Sequence, residues 1–142
     1  MKIQLRHPLA KIPTRANPWD AGADLYAVER VRIPRGEWRL IDTGVAIELP
    51  DSYVGYMCPR SGLALKYGLT LLNSPGVIDS GYRGTLKANI INHNMEREWI
   101  DVEPGDRIAQ LIVQQVTFPT FVEADSLLAS ARGENGHGSS GR

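Results

Sequence analysis

The chain has 142 residues, 16 Lys+Arg balanced by 16 Asp+Glu, and 42% hydrophobic content. That length suits one domain with a core of its own, and zero net charge argues against a strongly basic nucleic-acid binder or a polybasic membrane-surface protein. The single cysteine, Cys58, excludes an intrachain disulfide framework and a multi-cysteine zinc site.

Taken in chain order, strand signals and breakers alternate. The opening Met1-Lys2-Ile3-Gln4-Leu5-Arg6-His7-Pro8 interrupts any apolar stretch, so no signal peptide is expected, and no run approaches the roughly 18–20 apolar residues needed to span a bilayer. The expectation is a cytoplasmic, single-domain protein. Residues 11–24, rich in Pro, Asn, Asp and Gly, read as an irregular loop entering Asp24-Leu25-Tyr26. Val45, Ile47 and Leu49 alternate with Ala46 and Glu48 before the turn Pro50-Asp51. Val54, Tyr56 and Cys58 repeat that period and stop at Pro59. A short helix is predicted over Ser61–Tyr67, with Ser61 as its N-cap. Leu71 to Gly84 has turn residues at both ends of a short apolar patch, as in a β-hairpin with an exposed tip.

Further along, Lys87 to Ile91 and the apolar-rich run Arg107 to Val116 read as buried strands, with Pro104-Gly105 and Pro119 as breaks. The last eleven residues, Arg132 to Arg142, hold four glycines and almost nothing for a core, so a mobile arm is expected there. Many short strands with one short helix predict an all-β jelly roll or distorted β-barrel, with 1–131 as the β domain and 132–142 as the arm.

Three segments carry chemistry. In Pro59-Arg60-Ser61-Gly62-Leu63-Ala64 a turn feeds a helix start, where free N–H groups and the dipole favour an anion and Arg60 and Ser61 add donors. Taken alone, a plain helix start is the simpler reading. In the second segment Asn73 offers an amide suited to a base edge, Asp79 a carboxylate for orienting water, and Tyr82 a flat face for a sugar. A plain hairpin with solvated polar turns is the alternative. In Gly105-Asp106-Arg107-Ile108-Ala109-Gln110-Leu111, Asp106 and Arg107 read as a structural ion pair or as strand-start contacts, while Gln110 inside an apolar run needs polar partners. Trp19, Trp38, Trp99, His7 and His93 carry no motif signal, and Cys58 reads as a small buried apolar residue.

Together these segments resemble the trimeric deoxyuridine triphosphatase (dUTPase) family, whose five short motifs have counterparts in order along nearly the whole chain. They are Ala21-Gly22-Ala23-Asp24-Leu25; Pro59 to Ala64; Asn73 with Gly76 to Gly84; Gly105 to Leu111; and the glycine-rich tail. The resemblance implies a jelly-roll subunit, a homotrimer whose three sites each draw on all three chains, and Mg²⁺-assisted hydrolysis of dUTP to dUMP and pyrophosphate. It implies that Asp24 holds the metal through water and that Asp79 orients the attacking water and contacts the deoxyribose hydroxyl. Arg60, Ser61 and Gly62 would hold phosphates, and Gln110 the α-phosphate side. Asn73, with Gly76, Val77, Ile78 and Asp79, would pair with uracil; Tyr82 would stack on the sugar and Lys87 face the substrate. Arg132 would clamp the γ-phosphate, and His137, with Gly138 and Ser139, would cover the nucleotide as the arm closes.

The chain departs from the family pattern at two places. His137 stands where the fifth motif usually has Phe, so stacking there would be weaker and its protonation variable near neutral pH. Asn135 stands where Gly is common and suggests a left-handed backbone next in preference to glycine. No appended regulatory domain is expected after Arg142. The alternatives are a dCTP deaminase or bifunctional deaminase–diphosphatase, which share the fold, and a nucleotide-responsive regulatory protein that binds a protein partner.

Overall fold

The structure is a computed structural model that describes residues 1–136. Those residues form eleven β-strands and one helix, in the order β1 (Lys2–Leu5), β2 (Ala23–Tyr26), β3 (Val31–Pro34), β4 (Trp38–Asp42), β5 (Val45–Glu48), β6 (Tyr53–Cys58), α1 (Ser61–Tyr67), β7 (Leu69–Leu71), β8 (Gly76–Ile78), β9 (Lys87–Asn92), β10 (Trp99–Val102) and β11 (Arg107–Gln115). Every pairing is antiparallel. The largest sheet runs β2-β11-β6-β8, a second runs β4-β9-β7, and two ribbons, β1-β5 and β10-β3, complete the jelly roll.

Leu25, Ile33, Ile41, Leu86, Ile90 and Leu111 are fully buried where these sheets meet. Each such side chain contributes roughly 1.5–3 kcal/mol of burial free energy, so apolar burial is what holds the short strands together. Two buried polar groups are matched. Asn92 donates from Nδ2 to the Ile33 carbonyl (2.9 Å) and accepts at Oδ1 from the Asn94 N–H (2.8 Å), tying β9 to β3. Thr43 Oγ1 donates to the Leu86 carbonyl at 2.7 Å. Either side chain left unpaired would lose stability, because a buried polar group without a partner costs about 1–3 kcal/mol.

Outside the core, Arg32 and Asp101 form a two-point ion pair across β3 and β10 (Nε–Oδ1 2.7 Å, Nη2–Oδ2 2.9 Å), and Arg32 lies over the Trp99 ring. The hydrogen bond from Arg32 is the main reason the Asp101 carboxyl sits below its usual range. A lowered carboxylate pKa stabilises the fold above the unfolded-state value and loses that effect as pH falls through the folded value. Thermal unfolding midpoints of the wild type and Asp101→Asn should therefore differ at neutral pH and converge in acid. A difference independent of pH would contradict the assignment.

Several details differ from the expectations. Ser61 is the first helical residue, not the cap; Arg60 is at the N-cap with extended backbone and makes no side-chain cap bond. The helix stops at Gly68, whose left-handed φ of 65° returns N–H bonds to Leu63 and Ala64. Residues 71–84 do not form a hairpin of their own: β7 pairs with β9 and β8 pairs with β6, so the segment crosses between sheets. The last strand ends at Gln115, with its outer end exposed. Cys58 is half-buried, because its strand neighbour is the polar Gln110 rather than core. No helix among the described residues is long and apolar enough to cross a membrane.

Candidate active site

Two groups of the expected residues come together, at different places on the subunit. The first surrounds a cavity of about 320 Å³ lined by Leu40, Met57, Asn73, Gly76, Val77, Ile78, Asp79, Tyr82, Thr85, Leu86 and Lys87. Strand β8 builds its wall: Gly76 and Ile78 are buried beside Met57 and Gly55 of β6, while Val77 between them is exposed. Asp79 follows directly, exposed, and its carbonyl accepts the Tyr82 N–H at 3.0 Å. Lys87 opens β9, with Nζ 3.7 Å from Asp42 Oδ2.

The position of Tyr82 depends on a missing side chain. Its hydroxyl donates to the Thr85 carbonyl at 3.0 Å, which carries the ring over Gly84. A Cβ on Gly84 would lie within 2.3 Å of the Tyr82 hydroxyl oxygen and 2.6 Å of Cζ. Gly84→Ala should push the ring out of the cavity wall and weaken binding of the deoxyuridine nucleotide that the resemblance implies by about tenfold, read by calorimetry. Unchanged affinity would mean that the ring does not shape the site.

The second group is polar and lies on the outer face of the largest sheet. Asp24 of β2 and Gln110 of β11 face each other, and Gln110 in turn pairs with Cys58 of β6. Asp24 is mostly buried; Arg60 Nε donates to its Oδ1 at 2.7 Å and Arg107 Nη1 to its Oδ2 at 3.2 Å. Arg60 Nη1 also donates to the Arg107 carbonyl at 3.3 Å. Gln110 Nε2 donates to the Pro59 carbonyl at 2.9 Å, which answers its need for a partner. Gly22 makes room for it, since a Cβ there would lie 2.1 Å from Gln110 Oε1. Ser61 and Gly62, exposed at the start of α1, adjoin this cluster through Arg60. Asp106 does not pair with Arg107; its Oδ2 accepts the Glu103 N–H at 2.9 Å as a strand-start contact.

Arg132 is exposed, with Nε donating to the Asn135 carbonyl at 3.0 Å, and joins neither group within the subunit. Among the described residues no non-glycine has positive φ, so Asn135 does not take the left-handed conformation; Gly133 does, at φ 55°. His137, Gly138 and Ser139 lie outside the described residues. No group of three or more His, Cys, Asp or Glu able to hold a metal occurs among the described residues. Asp24 is a single carboxylate whose two oxygens accept from Arg60 and Arg107; Oδ1 keeps a second lone pair for a water, which fits Mg²⁺ held through water rather than by direct ligation. Sequence reasoning read Arg107 with Asp106 as an ion pair or a strand-start contact and did not assign it to the site; its partner is Asp24, 83 residues earlier.

Fold and site together define an antiparallel jelly-roll protein with a small, mainly apolar pocket edged by Asn73, Asp79 and Lys87, and a separate arginine–carboxylate cluster. A family model described as dUTPase matches residues 9–141. Curated relatives named deoxyuridine 5'-triphosphate nucleotidohydrolase include one from Nocardia farcinica, 51% identical over 134 residues (94% of this chain, 81% of that protein). Another, from Mycobacterium marinum, is 50% identical over 139 residues (94% and 90%). Among solved structures, the dUTPase of Staphylococcus bacteriophage 80alpha with dUPNHPP matches with TM-score 0.92 and 30% identity, covering 99% of this chain and 98% of that one. A variant dUTPase of phage phi11 of S. aureus, described as coordinating a structural Mg(II) ion, matches with TM-score 0.82 and 28% identity over 88% and 96%. The chain belongs to the dUTPase family.

Proposed function

We propose that this chain hydrolyses dUTP to dUMP and pyrophosphate, with a water oriented by Asp79 attacking the α-phosphorus. The observation that carries the reading is the β8 cavity, where Asn73, Gly76, Val77, Ile78, Asp79, Tyr82 and Lys87 meet. Its volume is at the lower end of the roughly 300–1,000 Å³ of small-molecule sites. That suits a nucleoside and leaves the triphosphate outside, toward arginines that do not line it.

In this reading Asn73 and the backbone of β8 pair with the uracil edge, whose donors and acceptors an amide can match. Tyr82 packs on the deoxyribose and leaves no space for a 2′-hydroxyl. Asp79 accepts a proton from the attacking water, at its carboxylate, and contacts the 3′-hydroxyl. Arg60, Ser61, Gly62, Gln110 and Lys87 position the phosphates; Arg132, His137, Gly138 and Ser139 close over them from the arm, residues 132–142. Asp24 would hold Mg²⁺ through water, and the ion would supply neutralisation of the charge that builds on the phosphates. Holding a tetra-anion by converging cations asks for no covalent nucleophile, and positioning dominates this class of reaction.

The assembly is a homotrimer whose sites are shared between chains. Support comes from the separation of the two residue groups on one subunit, and from an extended segment after β11 in which Phe118, Phe121, Val122, Leu127 and Leu128 are exposed. Apolar side chains in such a row are expected to be covered by a partner. The test is pyrophosphate release with Mg²⁺ across dUTP, dTTP, dCTP and UTP. Turnover of dUTP alone supports the reading; an untouched dUTP pool overturns it, and ammonia release from dCTP would establish the deaminase instead.

A further inference from the structure

We propose that Arg107 is a positioning residue for the phosphate end of the site: it sets the carboxylate of Asp24 and, through it, the guanidinium of Arg60. The inference rests on the reading of the chain as a dUTP hydrolase. It begins with a defect in strand register. Along β2 and β11 the partners are Ala23↔Leu111, Asp24↔Gln110 and Leu25↔Ala109, but Tyr26 then pairs with Arg107. One extra residue, Ile108, has been inserted into β11, which makes this a β-bulge.

The bulge decides which way Arg107 faces. Ala23 and Leu25 of β2 are buried in the core, whereas Asp24 and Tyr26 lie on the outer, half-buried face. Leu111 and Ala109 pair with the core residues and are buried, and Gln110 pairs with Asp24 on the outer face. Continued alternation would place position 107 with 109 and 111, in the core, where a guanidinium has no place. The inserted residue reverses the parity, so that Ile108 and Ala109 are both buried and Arg107 emerges beside Tyr26 and Asp24.

There Arg107 closes a ring of three residues from three stretches of chain. Its Nη1 donates to Asp24 Oδ2 (3.2 Å), Arg60 Nε donates to Asp24 Oδ1 (2.7 Å), and Arg60 Nη1 donates to the Arg107 carbonyl (3.3 Å). Arg60 is thereby held at both ends, and it makes no cap bond to its own helix. Both arginines border a cavity of about 740 Å³ on this side of the subunit. The Arg107 side chain is half-exposed, and ion pairs of that kind add only about 0–1 kcal/mol to stability. Interrupting a strand ladder for so small a return makes sense if the ring orients groups rather than strengthening the fold. Two guanidinia balanced on one carboxylate also leave net positive charge facing outward, which suits a polyphosphate.

The test compares nucleotides with and without the outer phosphates. Arg107→Met should keep calorimetric affinity for dUMP within about twofold and weaken a non-hydrolysable imido analogue of dUTP, with Mg²⁺, by about tenfold. Arg107→Lys should recover part of that loss, since the charge stays but the planar fork does not. In an Asp24→Asn background, Arg107→Met should add little, because the coupling runs through that carboxylate. Unchanged triphosphate affinity in Arg107→Met, equal losses for dUMP and the analogue, or fully additive losses in the double variant would each overturn the proposal. If Arg107→Met does not fold, the same comparison on Arg107→Lys decides, with selective weakening of the analogue expected and equal affinity overturning it. Failure of the underlying reading is seen separately, as wild-type protein that binds neither nucleotide and leaves dUTP intact.

Discussion

Asp79→Asn should lower kcat for dUTP hydrolysis by about 10²–10⁴-fold, the range in which removal of a general base falls. The side chain is exposed at the end of β8, and the structural contact at this position is its backbone carbonyl, which accepts the Tyr82 N–H at 3.0 Å. An amide has the same shape, so the turn survives and stability should stay within about 0.5 kcal/mol of wild type. What changes is the ability to take a proton from water and to orient its lone pair toward phosphorus. Steady-state kinetics with thermal unfolding on the same samples checks both halves. A variant that retains wild-type kcat would remove Asp79 from the chemistry, and one that loses activity together with the fold would leave its role structural.

Mixing two inactive proteins should restore turnover. One is the chain truncated after residue 131, which lacks Arg132 and the arm; the other is Asp79→Asn with its arm intact. If each site takes its β8 cavity from one chain and its arm from another, random trimers from an equal mixture contain roughly a quarter of sites with both parts sound. Unfolding and refolding the mixture, or co-expression, is needed to exchange chains. Activity near that fraction of wild type is the expected result. Complete inactivity in verified mixed trimers would mean that arm and cavity come from the same chain, and the shared-site arrangement would be wrong.

The limits of sequence reading are clearest at particular positions. The segment 71–84 was legible as turns around a short apolar patch, but its turn chemistry cannot say which sheet the patch joins. It pairs with β6 rather than folding back on β7, because the buried partners of Gly76 and Ile78 come from residues some twenty positions away. Ser61 looked like a cap because Ser commonly caps helices. The cap position went to Arg60, whose side chain is drawn instead to Asp24, 36 residues earlier. Arg107 was read with its neighbour Asp106, but its partner is Asp24, 83 residues earlier, reached across a bulge that no local sequence signal marks.

Local order along the chain was sufficient for the all-β class, the one short helix among the described residues and the five motifs, since period-two alternation, breakers and residue type are local properties. Asn73, Asp79 and Tyr82 were also readable there as one group, because they lie within ten residues, whereas Lys87 joined them only through the family resemblance. Only the tertiary structure decided that these four share a cavity while Asp24, Arg60, Arg107 and Gln110 gather elsewhere on the subunit. Register, bulges and sheet membership depend on which distant apolar faces bury each other, and that choice is made by the whole core at once.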